Sequence, residues 1–274
     1  MADFPLFGES EALEHGFVQA TVLGTNVTSS ASADTKGAWV ELVSAANNLF
    51  DSSVEVCLSF NSSTNSSFLI DIGVGGAASE EVIVSNLWCN TTSVAAHSSD
   101  FVKMPIIIPA GQRVSARCQS DEGSRIIPVY IKLISSDFMQ PTSASEVISI
   151  GDDAATTSGV TVTTTTAGTF GSWVEIDASL GDNIKGFFVA AHRNTPTSWS
   201  NLRVAYQVSV GSAGNEEVIF DSQIMVQLQT EAQSSHFSSV SMISIASGER
   251  VAIRAVSSVT NTDADFDYVI YGIK

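Results

Sequence analysis

IPAGQRVSARCQS (Ile108–Ser120) returns 137 residues later as IASGERVAIRAVS (Ile245–Ser257). The two stretches share the opening Ile, a Gly, an Arg-Val pair, a second Arg four residues after the first, and the closing Ser. Each reads as a turn that leads into a strand. In the second copy Val251, Ile253 and Ala255 fall on one face, and Arg250, Ala252 and Arg254 on the other.

The repetition extends outward. GAWVEL (Gly37–Leu42) matches GSWVEI (Gly171–Ile176), and VGGAASEEVIV (Val74–Val84) matches VGSAGNEEVIF (Val210–Phe220), at offsets of 134 and 136. The matches keep their order, so the chain is a tandem duplication. Only 15% of its 274 residues are charged and 44% are hydrophobic. Ser, Thr, Val, Ile and Gly are abundant, a mixture that favours strands and turns over helices.

The first unit offers strands over Phe17–Leu23, Ala38–Val43, Ser53–Phe60, Phe68–Val74, Glu81–Leu87, Met104–Ile108, Arg113–Gln119 and Pro128–Ile134. The second offers Val160–Thr165, Trp173–Asp177, Gly186–His192, Arg203–Val210, Glu217–Asp221, Met225–Gln229, Ser241–Ile245, Arg250–Ser257 and Asp267–Ile273. Short strands at this density fit an all-β chain, a tandem duplication of a jelly-roll-like β-sandwich. An immunoglobulin-like sandwich is the runner-up, without the Cys-Trp-Cys arrangement. The expected organisation is an N-terminal arm (1–15), a first unit (16–137), a linker (138–145) containing Pro141, and a second unit (146–274).

The net charge of −17 is shared almost equally between the halves. No Lys/Arg cluster exists to displace phosphate counterions, so nucleic acid is not an expected partner. No apolar run is long enough to span a bilayer, and no membrane insertion is expected. The segment Met1–Pro5 starts acidic and lacks a signal-peptide core, which leads us to expect synthesis in a cytosol and, if the protein leaves a cell, exit by another route such as lysis. The sequons at Asn26, Asn61, Asn65 and Asn90 are attributed to chance in so Ser/Thr-rich a chain.

Several patterns resemble sites. Gly73-x-Gly75-x-x-Ala78 has dinucleotide-like spacing but leads into Glu-Glu-Val-Ile-Val, a strand of the wrong charge, so a hairpin is expected there. Cys57, Cys89 and Cys118 match no zinc spacing, and their counterparts in the second copy are the apolar Ala191, Met225 and Ala255, as expected for buried thiols. His97-Ser98-Ser99-Asp100 holds hydrolase residue types without triad geometry. The run Asp263–Asp267 could hold calcium but lacks the Gly and distant Glu of a full loop. No catalytic or metal residues and no cofactors are assigned, and the expectation is a non-enzyme.

The arginines are more informative. Of seven in the chain, four are Arg113, Arg117, Arg250 and Arg254. We expect them to pair with Glu41 and Glu175 within or between subunits. Phe4, Leu6 and Phe7 are costly to leave in water, so they either pack back on the domain or dock on another chain as an anchoring arm. Trp88, Trp199 and Tyr206, unmatched between the units, are candidates for stacking on sugars.

The set W-V-E-L, I-G-V-G-G-A-x-x-E-E-V-I-V and I-P-A-G-x-R-V-x-x-R resembles accessory virion structural proteins of tailed bacteriophages, especially those of marine and other environmental bacteria. The second copy departs at Ala246, in place of Pro109, and at Gln207, in place of Asp71. The resemblance implies jelly-roll modules of a virion exterior, decorating or stabilising the capsid. The alternatives are a tail appendage or fibre subunit, or a carbohydrate-binding module that contacts host-surface glycan. The implied partners are other capsid or tail proteins and further copies of the chain, with a trimer favoured.

Overall fold

A computed structural model describes residues 13–15, 24–49, 51–58, 66–91, 100–135, 144–164, 166–193, 202–226, 236–259 and 264–274. Among these residues all regular structure is β. The first half contributes β1 (Leu13–His15), β2 (Thr25–Thr28), β3 (Val40–Val43), β4 (Ser52–Leu58), β5 (Ser66–Val74), β6 (Glu81–Thr91), β7 (Asp100–Ile108), β8 (Val114–Ser120) and β9 (Ile126–Ser135). The second contributes β10 (Val147–Ile150), β11 (Val160–Thr164), β12 (Val174–Asp177), β13 (Gly186–Arg193), β14 (Leu202–Val210), β15 (Glu217–Val226), β16 (His236–Phe237), β17 (Val251–Ser257) and β18 (Ala264–Ile273).

In the first half β2, β9, β4 and β7 lie side by side, and β3, β8, β5 and β6 form the facing layer. The chain therefore crosses repeatedly between two layers, the wrapping of a jelly roll. The second half repeats it, with β11, β18, β13 and β16 in one layer and β12, β17, β14 and β15 in the other. The protein is an all-β tandem jelly roll, as the duplication implied.

The strand readings need correction in several places. β2, β10 and β16 were not expected, and β1 lies in what read as an arm. Glu217–Asp221 and Met225–Val226, the described start of the expected strand Met225–Gln229, belong to one strand. Ser241–Ile245 is not a strand: Ser241 and Ile245 make only isolated bridges, to Phe187 and Ile184. The expected strand Phe17–Leu23 lies outside the described residues.

β10 joins the two jelly rolls. It runs parallel to β6, with Val147 opposite Val84, and antiparallel to β18, with Val147 opposite Ile273. The result is one nine-stranded sheet, β3-β8-β5-β6-β10-β18-β13-β16 with β11 also on β18. Across the junction the interior changes face. Phe266, Tyr268 and Ile270 of β18 point into the second core, while Val269, Tyr271 and Ile273 join the first. A strand buried on both faces must read as a nearly continuous apolar run, and FDYVIYGI does.

Polar groups tie the junction where backbone pairing ends. Tyr271 Oη accepts from the Trp88 amide at 2.7 Å and donates to the Asn86 carbonyl at 2.9 Å, standing in for a strand that β10 does not extend far enough to provide. Burial holds the Tyr271 hydroxyl well above the usual tyrosine range, so it stays protonated. Asn86 Nδ2 donates to Asp152 at 2.7 Å, and Gln119 Nε2 donates to the Ala154 carbonyl and Thr157 Oγ1. Phe188 stacks on Tyr271 with centroids 4.9 Å apart.

Replacing Tyr271 by Phe leaves a buried amide and carbonyl of β6 without that partner. We expect it to lower stability by about 1–3 kcal/mol in urea denaturation, with the packing face intact.

Candidate functional site

The strands that hold the repeated motif begin after turns with Gly111 at φ 77° and Gly248 at φ 88°. No atom crowds either position, so backbone conformation alone requires glycine there. The first arginine of each motif follows directly. Arg113 Nε donates to Glu41 at 2.7 Å, and its Nη1 donates to Glu80 at 2.7 Å. Arg250 Nε donates to Glu175 at 2.8 Å, and its Nη1 donates to Glu216 at 3.3 Å. Each arginine thus clamps the edge strand on one side of its sheet to the hairpin before β6 or β15 on the other. The pairing is internal to the chain.

Glu80 and Glu216 were missed by the sequence reading. The Glu-Glu doublet of the matched VGGAASEEVIV and VGSAGNEEVIF was the available signal. Burial alone would raise Glu80, but hydrogen bonds from Arg113 and from backbone amides outweigh it and hold Glu80 below the usual carboxylate range. Burial would likewise raise Glu216, but hydrogen bonds from backbone amides and the Arg250 guanidinium outweigh it and hold Glu216 low as well.

The second arginine of each motif stands opposite a position that differs between copies. Asp71 is paired in register with Arg117, and Gln207 with Arg254. Asp71 is buried; its Oδ2 accepts from Arg117 Nε at 2.8 Å and its Oδ1 from Lys36 Nζ at 2.8 Å. Burial, assisted by Arg117, pushes the Lys36 amine down. The second unit has Phe170 in place of Lys36 and Gln207 in place of Asp71. Gln207 Oε1 accepts from Arg254 Nε and Nη2 at 2.9 and 2.7 Å. The Arg254 guanidinium then lies 4.3 Å from the Trp173 ring and 4.8 Å from that of Phe170, whereas Arg117 has only Trp39, at 4.6 Å. A cation and an anion have been exchanged together for an aromatic ring and an amide, so charge balance survives.

The structure removes two sugar-stacking candidates. Trp88 is 1% exposed, donates through Nε1 to Ser67 Oγ and meets His192 edge-on, so neither ring face is free. Tyr206 is fully buried, and burial pushes its hydroxyl up to about 12. Both fill spaces beside sheets, which explains why the other copy need not match them. Trp199, the arm residues Phe4, Leu6 and Phe7, His97–Ser99 and Asp263 lie outside the described residues. Asp267 is buried and accepts from Thr161 Oγ1 at 2.5 Å, which commits it to strand pairing. Gly73–Ala78 form the end of the β5–β6 hairpin. Cys89 and Cys118 are buried, and burial raises the Cys118 thiol to about 12.

No protein-family model matches the chain, and no curated protein matches it in sequence. Solved structures show weak likeness. A tandem pair of CBM22 domains from Paenibacillus barcinonensis Xyn10C is 11% identical with a TM-score of 0.28, over 97% of this chain and 98% of that one. The N-glycanase PNGase F is 7% identical with a TM-score of 0.36, over 95% of each. The infectious bursal disease virus VP2 subviral particle is 8% identical with a TM-score of 0.24, over 96% and 72%. Likenesses this slight carry no argument about activity; the fold assignment rests on strand order.

Two predictions test these clusters. Arg113→Leu leaves Glu80 unpaired, and we expect a larger drop in denaturation midpoint than for Arg250→Leu, whose second bond is longer. Because Glu80 is held low, its contribution is present at neutral pH and fades as pH falls below the ordinary glutamate range; Arg113→Leu should flatten that acid limb. At the other cluster, Lys36→Phe and Asp71→Gln should each destabilise alone, whereas the double variant, matching the second copy, recovers about 1–3 kcal/mol of coupling in a double-mutant cycle.

Proposed function

We propose that the chain is a non-enzymatic structural subunit of a tailed-phage virion, placed on the exterior where it decorates or stabilises the capsid. The observation that carries this reading is the shared nine-stranded sheet, which makes two jelly rolls into one stiff body. The recurrent arginines support it, because each is committed to holding strands together rather than to an open cleft. The resemblance of the repeated motifs to phage accessory proteins supplies the particle.

A carbohydrate-binding appendage is the second reading, favoured by one surface: the half-exposed Trp173 and Phe170 flanking Arg254. This aromatic pair replaces Trp88 and Tyr206 as the place where a sugar ring would stack.

Immunogold labelling of purified particles with an antibody to this chain separates the readings. Label spread over the head is the expected result. Label confined to the tail would transfer the protein to the appendage class, and there Trp173→Ala should abolish binding on a glycan array. Particles without label would remove the virion assignment.

A further inference from the structure

The two jelly rolls differ most on one side. In the first, the gap between the edges β6 and β7 is closed by the chain passing into the second unit. Ala144 bridges Ile106 of β7, and Val147 of β10 pairs with Val84 of β6. Beneath this strap Ile83, Val84 and Ile106 are 8%, 0% and 0% exposed.

The same positions in the second unit are Ile219, Phe220 and Ile243. They have stayed apolar, but among the described residues no strand lies on the outer edge of β15. Val218, Met242 and Ile243 are 43%, 61% and 41% exposed, three of the five large apolar side chains that the described residues present to solvent. An uncovered sheet edge flanked by apolar side chains is a surface for strand addition.

The duplication names the strand. DFPLFGESEALEHG (Asp3–Gly16) stands before the first unit as FMQPTSASEVISIG (Phe138–Gly151) stands before the second, with Ser10-Glu11 matching Ser145-Glu146 and Gly16 matching Gly151. Backbone register agrees. Leu13 of β1 pairs antiparallel with Leu133 of β9, and Ile148 of β10 pairs antiparallel with Gly272 of β18. The segment that closes the preceding unit within the chain therefore has a counterpart at β1, whose outer edge has no strand partner among the described residues.

We infer that a second copy of this chain lays its N-terminal segment, ending in β1, parallel along β15, as β10 lies along β6. The contact is heterologous, so copies associate head to tail, into a ring where the rotation closes and a filament where it does not. A ring of three chains would supply the favoured trimer. Two changes set its strength. Ser85 hydrogen-bonds Ser149 at the internal junction; the corresponding pair between copies is Asp221 and Glu14, two carboxylates. Lys132, in the place of Tyr271, lies opposite Glu14 in the β1–β9 register.

Sedimentation velocity on the full chain over a concentration series tests the inference, independently of any virion role. Association that rises with concentration is expected. Val218→Lys and Ile243→Lys should each weaken it by more than about tenfold, and Asp221→Ser, which removes a like charge, should tighten it by about tenfold. A peptide of residues 3–16 should dissociate the assembly, and a scrambled peptide should not. The inference is overturned if wild type and Asp221→Ser both remain monomeric throughout. It is equally overturned if association occurs but is indifferent to all three substitutions and to the peptide. Circular dichroism confirms that each variant is folded.

Discussion

The structure depends on a four-residue strand. β10 takes backbone hydrogen bonds from two jelly rolls at once, parallel on one side and antiparallel on the other. Remove that pairing and β6 has an exposed edge, β18 loses a neighbour, and the apolar outer faces of Phe188, Val269 and Tyr271 meet water. Parallel pairing over so short a length is weak by itself. The junction compensates with side chains: the Tyr271 hydroxyl completes the ladder of β6, and Asn86, Gln119 and Thr157 bind across the seam.

The duplicated halves show which constraints are rigid and which are exchangeable. The Arg–Glu–Glu clamp is kept in both, because it holds an edge strand and a hairpin in fixed relation and every member has a partner. The neighbouring cluster has been rewritten as a set. Lys36 without Asp71 would be a cation pressed into a partly dry site, and Asp71 without Lys36 would lose one of its donors. Phe170 with Gln207 solves the same problem using ring stacking and an amide oxygen.

Much of this was legible in the sequence. The tandem matches fixed the fold class, and alternation in RVAIRAVS placed Val251 and Ile253 inward and the arginines outward. The clamp partners Glu41 and Glu175 were visible because they lie in a matched motif. What escaped was context. Val147–Ile150 is too short, and apolar on too many positions, to display a period of two, so it passed as an unassigned start of the second unit. Trp88 and Tyr206 seemed available because they were unmatched, yet each fills a space peculiar to its own half. Single-sequence patterning reports which face of a strand is apolar; it does not report that β18 has two interiors to satisfy.

That double interior removes the usual independence of beads on a string. Alternate side chains of β18 belong to different cores, so the strand cannot leave one core while remaining in the other. Opening of either half must be felt by its neighbour, and the two should melt as one cooperative body. Backbone amides near the middle of β18 should be among the slowest to exchange with solvent, reporting the opening of the whole molecule. The duplication thus produced a single thermodynamic unit from two copies of a fold, with an aromatic strand as the shared wall.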